Sequence, residues 1–398
     1  MKRREFMTTL SGLGILSAAP NLFSTQSPGG SASTPAKMAY RRLGRTGLRI
    51  SAVSLGGSPV PNESVFRLAM DRGVNYVDTS SSYMNGNSES IIGRLIADRR
   101  DRFIVATKFH PGRRYRSTAG LIEEAEGSLR RLNSDYIDVL LVHGARDPDL
   151  LKADYVLEAF AKLKQQGKIR FTGVSCHHDP VRVLLPAIES GHYDMISLAY
   201  NVYSGSRVEE GGVYTDYLQE AGISKILNAA SQKDLGVIAM KVMAGGERQE
   251  LSRFRAEGVS PPQAKIKWVL ADQRVSGIIT EMLNFNILQE NLGALAGPIT
   301  QREQACLNRH VKKNSATYCR MCGICESVCP QGIAISDIMR YSLYYRGYGK
   351  TREARTAYRS LSLRATVAGC TQCGLCETHC PYDVAVLRNL ETAYRLLA

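Results

Sequence analysis

At 398 residues, with 44% apolar composition, the chain is long enough for one large α/β domain and a small appendage around a real core. Charged residues make up 22%, and no apolar run reaches the ~18 residues a spanning helix requires, so no membrane crossing is written into the mature chain. The formal charge of +14 is spread along the sequence rather than gathered into one arm, which argues against a nucleic-acid partner.

Residues 1–37 read as a leader followed by a linker. Lys2-Arg3-Arg4-Glu5-Phe6-Met7 precedes a mildly apolar stretch from Leu10 to Ala19, an order that resembles a twin-arginine (Tat) signal; the alternative is a disordered basic tail. Asn21 to Lys37 is rich in Ser, Pro and Gly without periodicity, as a flexible linker is. The resemblance implies export in the folded state to the periplasm or another extracytoplasmic site. That route suits cargo that takes up its metal before it crosses. No clean small-x-small motif between Ala18 and Ala36 fixes a cleavage site, so an uncleaved leader acting as an anchor stays open.

From Arg41 onward, short β-branched runs alternate with helix-length stretches, beginning with Ile50 to Gly57 and a helix over Ser64 to Arg72. Further strands are expected at Tyr76–Thr79, Phe103–Lys108, Ile137–His143, Phe171–Ser175, Met195–Tyr200, Val237–Lys241 and Gly277–Thr280. Eight βα units over residues 38–298 have the size and rhythm of a closed (β/α)8 TIM barrel, with chemistry expected where strands end. An open doubly wound sheet is the alternative, but no Gly-x-Gly-x-x-Gly follows the first strand.

Asp78, Tyr83, Lys108 and His143 fall at or just beyond the ends of consecutive strands, and a barrel brings such residues to one mouth. Together they allow carbonyl reduction. A phenol, Tyr83, protonates the developing alkoxide, Lys108 held by Asp78 eases loss of that proton toward neutral pH, and His143 orients the carbonyl. Taken singly, each has a structural explanation: Asp78 as a loop cap, His143 as a satisfied strand-end histidine, Tyr83 as loop packing.

Here the sequence resembles the aldo-keto reductase superfamily. The resemblance runs through Val77-Asp78-Thr79-Ser80-Ser81-Ser82-Tyr83 with Gly86, Ser88, Glu89 and Gly93, then Ala106-Thr107-Lys108, Ser128 to Leu132, Asp135 to His143, and Gln166 to Arg170 leading to Gly173-Val174-Ser175. It implies a (β/α)8 barrel, NADP or NAD as cofactor, a small carbonyl or alcohol substrate, and the roles just given for the four residues. It also implies nicotinamide contacts at Ser175, Ser197, Met240 and Lys241, a phosphate approach at Gly245 and Gly246, and adenine contacts at Glu290 and Asn291. Several positions depart from the family pattern. Cys176 stands for the usual Asn, Ser197 for Gln, Met240 for the aromatic that stacks on nicotinamide, and Ile287 for an Arg that faces the extra phosphate of NADP.

Of ten cysteines, eight fall in two Cys-x2-Cys-x2-Cys-x3-Cys-Pro runs: Cys319, Cys322, Cys325, Cys329 and Cys370, Cys373, Cys376, Cys380. Four thiolates in this spacing, twice, favour two 4Fe-4S clusters over zinc. In two-cluster ferredoxins the fourth Cys of each run serves the other cluster, which predicts Cys319, Cys322, Cys325 with Cys380, and Cys370, Cys373, Cys376 with Cys329. Residues 299–398 therefore read as a mostly helical ferredoxin-type domain, with helices over Ser336–Tyr348 and Thr351–Leu363.

From Arg340 through Arg364, seven Lys or Arg residues stand against one Glu, interleaved with Tyr341, Tyr344, Tyr345, Tyr348 and Tyr358. Two readings stay open: tyrosines packed on the barrel with basic faces to solvent, or docking of an acidic electron partner. The whole predicts an exported oxidoreductase that interconverts a carbonyl and an alcohol and relays electrons through clusters to an envelope partner. The alternative is an electron-transfer or binding protein on a catalytically idle barrel.

Overall fold

The structure is a computed structural model that describes residues 37–112, 115–204, 207–209, 212–214, 222–245, 254 and 256–398. The leader, the linker up to Ala36 and Gly246 lie outside the described residues. Eight parallel strands close into a barrel: β1 Val53–Gly56, β2 Tyr76–Asp78, β3 Ile104–Phe109, β4 Ile137–Ala145, β5 Ile169–Cys176, β6 Met195–Ala199, β7 Gly236–Met240 and β8 Gly277–Thr280. They pair in chain order, and β8 returns to pair with β1. The helices following them are α1 Glu63–Asp71, α2 Asn87–Ile96, α3 Thr118–Leu132, α4 Asp154–Gln165, α5 Pro180–Ser190, α6 Gly222–Gln232, α7 Pro261–Ala271 and α8 Phe285–Gly293.

One expected strand is divided. Arg49–Ser51 pairs antiparallel with Tyr40–Arg42, and only Val53–Gly56 enters the barrel. The hairpin plugs the barrel floor: Leu43 and Ile50 are fully buried among Tyr76, Ile104, Val139 and Ile238. The Arg41 guanidinium fastens it by donating to the carbonyls of Leu270 and Val275.

Side chains alternate across each strand, and this period of two places the site. Tyr76, Ile104, Ala106, Val139, Leu141, Met195 and Ile238 fill the barrel interior, while Val77, Val105, Leu140 and Val142 pack outward beneath the helices. Two residues further along the inward series come Asp78, Lys108, His143, Ser197 and Met240. The interior packing thus delivers the polar residues to the C-terminal mouth.

The C-terminal region begins with α9 Gln301–Asn314, opened by a capping box between Thr300 and Glu303 and tied to α7 by Lys267–Glu303 at 2.8 Å. Short helices α10 Ile324–Ser327 and α13 Leu375–Thr378 each follow a glycine in the left-handed region, Gly323 and Gly374. Met321 and Gln372 share that conformation, so the two cysteine runs fold as repeats of one loop. The expected helices appear as α11 Ile335–Arg346 and α12 Thr351–Arg359, which pack with α14 Val386–Leu397 around Ile338, Ala354, Tyr358 and Leu390.

This region lies across the barrel mouth. It is held at the loop after β1 by Lys350 Nζ donating to the Ser58 carbonyl at 2.8 Å, after β4 by Arg146–Asp337, and after β5 by the Asp179 N–H donating to Met321 at 3.0 Å. After β6, Tyr203 stacks on Tyr318 at 4.1 Å; after β7, Lys241 donates to the Tyr344 hydroxyl at 3.1 Å; after β8, Lys350 pairs with Glu281 at 2.9 Å. The tyrosine-rich stretch thus turns Tyr344 onto the barrel, while Arg340 pairs inward with Asp337 at 2.6 Å instead of facing solvent.

Candidate active site and cluster sites

Lys108 is the centre of the mouth. Its Nζ donates to Asp78 Oδ1 at 2.5 Å and to the Thr79 carbonyl at 2.7 Å, and lies 4.8 Å from the Tyr83 ring centroid. Burial works against its charge, but Asp78 and Tyr83 outweigh that and hold the ammonium above the ordinary lysine pKa. Tyr83 departs from expectation. Burial raises its pKa more than Lys108 lowers it, so the phenol titrates above its ordinary value. The hydroxyl stays protonated at neutral pH, which is the form a proton donor needs.

His143 meets Tyr83 edge-on, with ring centroids 5.5 Å apart and planes at 80°. Its Nδ1 is 3.0 Å from Ser80 Oγ and 2.8 Å from Nε2 of His110. His110 Nδ1 is in turn 2.9 Å from Glu124 Oε1, and the His110 backbone N–H donates to Glu124 Oε2 at 3.0 Å. Sequence reasoning passed over both residues. A signal for His110 was present, because it continues the inward series of β3 two residues past Lys108. Glu124 was signalled by a charge on the apolar stripe of α3, between Leu121 and Ala125 on one side and Ser128 on the other, all buried.

The positions assigned to a nicotinamide dinucleotide divide into two groups. Ser175 and Ser197 are register partners on β5 and β6, and their buried hydroxyls have no hydrogen-bond partner among the described residues, as donors awaiting a carboxamide would. Met240 is buried at the end of β7. The far end is different. A Cβ on Gly347 would lie 2.2 Å from the Gly245 carbonyl oxygen, so this backbone covers the expected phosphate approach. Glu290 accepts from Ser260 at 2.8 Å, and the buried Asn291 donates toward Thr280 and Glu281, so both are already engaged. Lys241 is bound to Tyr344. The residues fit the nicotinamide end, and the phosphate end is roofed by 344–350.

The eight cysteines gather around two cavities. Cys319, Cys322, Cys325 and Cys380 line one with Ile335, Met339 and Val384. Cys329, Cys370, Cys373 and Cys376 line the other with Ile333, Leu387 and Leu390. All eight are unpaired thiols. Among the described residues no three His, Cys, Asp or Glu side chains close on one point as a single metal ion requires. Four thiols spread round an apolar hollow suit the larger body of a cubane. A further hollow joins the first set to the barrel, lined by Cys319 and Cys322 on one side and by His177 and Lys241 on the other. His177 is half-buried with its Nδ1 enclosed, and its pKa is pushed well below the ordinary imidazole value by desolvation and by the nearby cations Lys241 and Arg340.

A model of the aldo/keto reductase family matches residues 54–254, half of the chain, from within β1 through β7. The chain belongs to the aldo/keto reductase family. A model of a 4Fe-4S dicluster domain matches residues 315–384, so this aldo/keto reductase carries an iron-sulfur domain in the same polypeptide. Among curated relatives, an uncharacterized oxidoreductase, YqkF of Bacillus subtilis, is 29% identical over 70% of this chain and 98% of its own length. L-galactose dehydrogenase of Arabidopsis thaliana is 28% identical over 65% of this chain and 88% of its own. An aldo-keto reductase of Klebsiella pneumoniae solved in complex with NADPH is 25% identical, with a TM-score of 0.56 over 69% of this chain and 95% of that one. These relatives are oxidoreductases, and so is this protein.

Proposed function

We propose that this chain is an exported iron-sulfur oxidoreductase that interconverts a small carbonyl and its alcohol at Asp78, Tyr83, Lys108 and His143. In reduction, Tyr83 gives its hydroxyl proton to the substrate oxygen, and the phenolate left behind is stabilised by the Lys108 ammonium, which Asp78 holds in place. His143 aligns the oxygen. Ser175, Ser197 and Met240 would hold the nicotinamide of NADP or NAD, which would supply the hydride exchanged with the carbonyl carbon. The roof formed by Tyr344 to Lys350 excludes water from the reacting atoms, which strengthens each of these electrostatic contacts.

The observation that carries the reading is the hollow shared by Cys319 and Cys322 with His177 and Lys241, because it brings one cluster site to the wall of the catalytic mouth. We infer two 4Fe-4S clusters, the first held by Cys319, Cys322, Cys325 and Cys380, the second by Cys329, Cys370, Cys373 and Cys376. Each stores one electron, so together they match the electron pair that a carbonyl and its alcohol exchange. Cys373 is exposed, which favours the second cluster as the port for an envelope redox partner. The Lys2 to Met7 segment supports export of the folded, loaded protein.

The test uses the full-length protein purified anaerobically from the periplasm. It should contain iron for two clusters, and denaturation should release NADP or NAD in amounts close to stoichiometric. Iron-loaded protein without dinucleotide, together with no turnover of any aldehyde or ketone in a broad panel, would favour the alternative of an electron carrier on an idle barrel. The departures at Cys176, Ser197 and Met240, and the Gly347 backbone over the phosphate approach, favour that alternative.

A further inference from the structure

The chain of contacts behind His143 runs from the buried Glu124 carboxylate through both nitrogens of His110 to Nδ1 of His143, in steps of 2.9 and 2.8 Å. Ser81 Oγ donates to the same carboxylate at 2.9 Å, and so does the His110 backbone N–H at 3.0 Å. An ionised carboxylate only accepts, so His110 must carry its proton on Nδ1. A neutral His110 then has only a lone pair on Nε2, and the proton in the contact with His143 belongs to His143 Nδ1. With Glu124 ionised and His110 neutral, donation runs from His143 through His110 to Glu124, and Ser80 Oγ, 3.0 Å from His143 Nδ1, accepts from the same N–H.

We propose that Glu124 and His110 are positioning residues that fix the proton of His143 on Nδ1 and turn its Nε2 to the substrate oxygen, so that the charge state of His143 decides which substrate form is bound. When His143 is doubly protonated, Nε2–H donates to a carbonyl oxygen. When it is neutral, Nε2 accepts from an alcohol O–H. Glu124 stabilises the charged form through His110, and the change from one form to the other releases the Nε2 proton while Nδ1 keeps its own. The proposal rests on the reading of Asp78, Tyr83, Lys108 and His143 as a carbonyl site.

Other ionisable groups face this chain. Asp78 and Tyr83 come from β2 and its loop, Lys108 from β3, and His177 from β5, its ring centroid 6.5 Å from that of His143. Lys241 stands after β7, and Arg340 and Tyr344 come from α11. The cations Lys241, Arg340 and Lys108 act on His177, whose ring meets that of His143, while the buried Glu124 carboxylate lies beyond His110 on the other side.

Nitrogen-15 NMR of the full-length protein with labelled histidine tests this directly, with the His143 signals assigned through His143→Gln. The neutral ring should carry its proton on Nδ1, and Glu124→Gln should lower the His143 titration midpoint by about one pH unit. As the pH rises through that midpoint, KM for 4-nitrobenzaldehyde should rise and KM for 4-nitrobenzyl alcohol should fall, and Glu124→Gln should move both changes to lower pH. A neutral His143 protonated on Nε2, or a midpoint unmoved by Glu124→Gln, overturns the proposal. Should Glu124→Gln fail to fold, the tautomer in the unmodified protein decides alone. Absence of turnover with both probes would count against the carbonyl site itself, while the NMR result still judges the relay.

Discussion

Tyr83 is the residue on which the catalytic reading turns, because its hydroxyl is the proposed proton donor. Tyr83→Phe keeps the ring against His143 and near Lys108 Nζ, and removes the hydroxyl with its proton and its hydrogen bond to Lys108. Carbonyl turnover should fall by about 10²-fold or more, while the visible absorbance of the clusters stays as it was. Turnover within a factor of two of the parent protein would remove Tyr83 from the mechanism. Asp78, Lys108 and His143 were legible in sequence because they extend an inward alternation that the strands make visible, whereas Tyr83, in the turn after β2, was legible through the motif Val77 to Tyr83. The sign of the Tyr83 shift was not, because it depends on burial under a roof supplied by residues more than two hundred positions away. His110 and Glu124 escaped for a related reason: each looks ordinary on its own element, and only the approach of α3 to the end of β3 gives them meaning.

At the scale of elements, β-branched runs buried on both faces identified all the barrel strands, since a parallel sheet under helices leaves them no polar face. The divided first strand was hidden because Ile50 and Val53 are equally apolar, although one fills the floor and the other faces the helices. The segment after α11 carries a sharper consequence. Gly347 packs so closely on Gly245 that a methyl group has no room, and the obstacle is backbone rather than a side chain that can turn away. Gly347→Ala should therefore loosen the roof at a cost of about 1–3 kcal/mol. The expected outcome is faster amide exchange over residues 344–350 and easier loss of bound dinucleotide, with barrel strands protected as before. Unchanged exchange there would mean that the Lys350–Glu281 and Tyr344–Lys241 contacts alone hold the segment down.

For the molecule as a whole, the two cysteine runs announced an iron-sulfur domain, but not its seat over the mouth. That seat depends on single contacts drawn from many loops, such as Arg146–Asp337 and Tyr203–Tyr318, and no local pattern in either partner specifies them. The seat brings Cys319 and Cys322 to the barrel, and Cys380 lines the same cavity, as crossed ligation by the fourth cysteine of each run requires. Paired substitutions separate crossed from local ligation. Replacing Cys319 and Cys380 by Ala removes two ligands from one cluster if ligation is crossed, and one from each if it is local. Replacing Cys319 and Cys329 does the reverse. Crossed ligation therefore predicts that Cys319→Ala with Cys380→Ala keeps about half of the iron and a normal signal from one reduced cluster, whereas Cys319→Ala with Cys329→Ala damages both. The surviving cluster in the first variant is the one remote from Lys241 and His177, so that variant should still accept an electron from a reductant and yet fail to couple it to carbonyl turnover. If the iron losses of the two variants were exchanged, the crossed arrangement, and with it the placement of one complete cluster against the catalytic mouth, would be wrong.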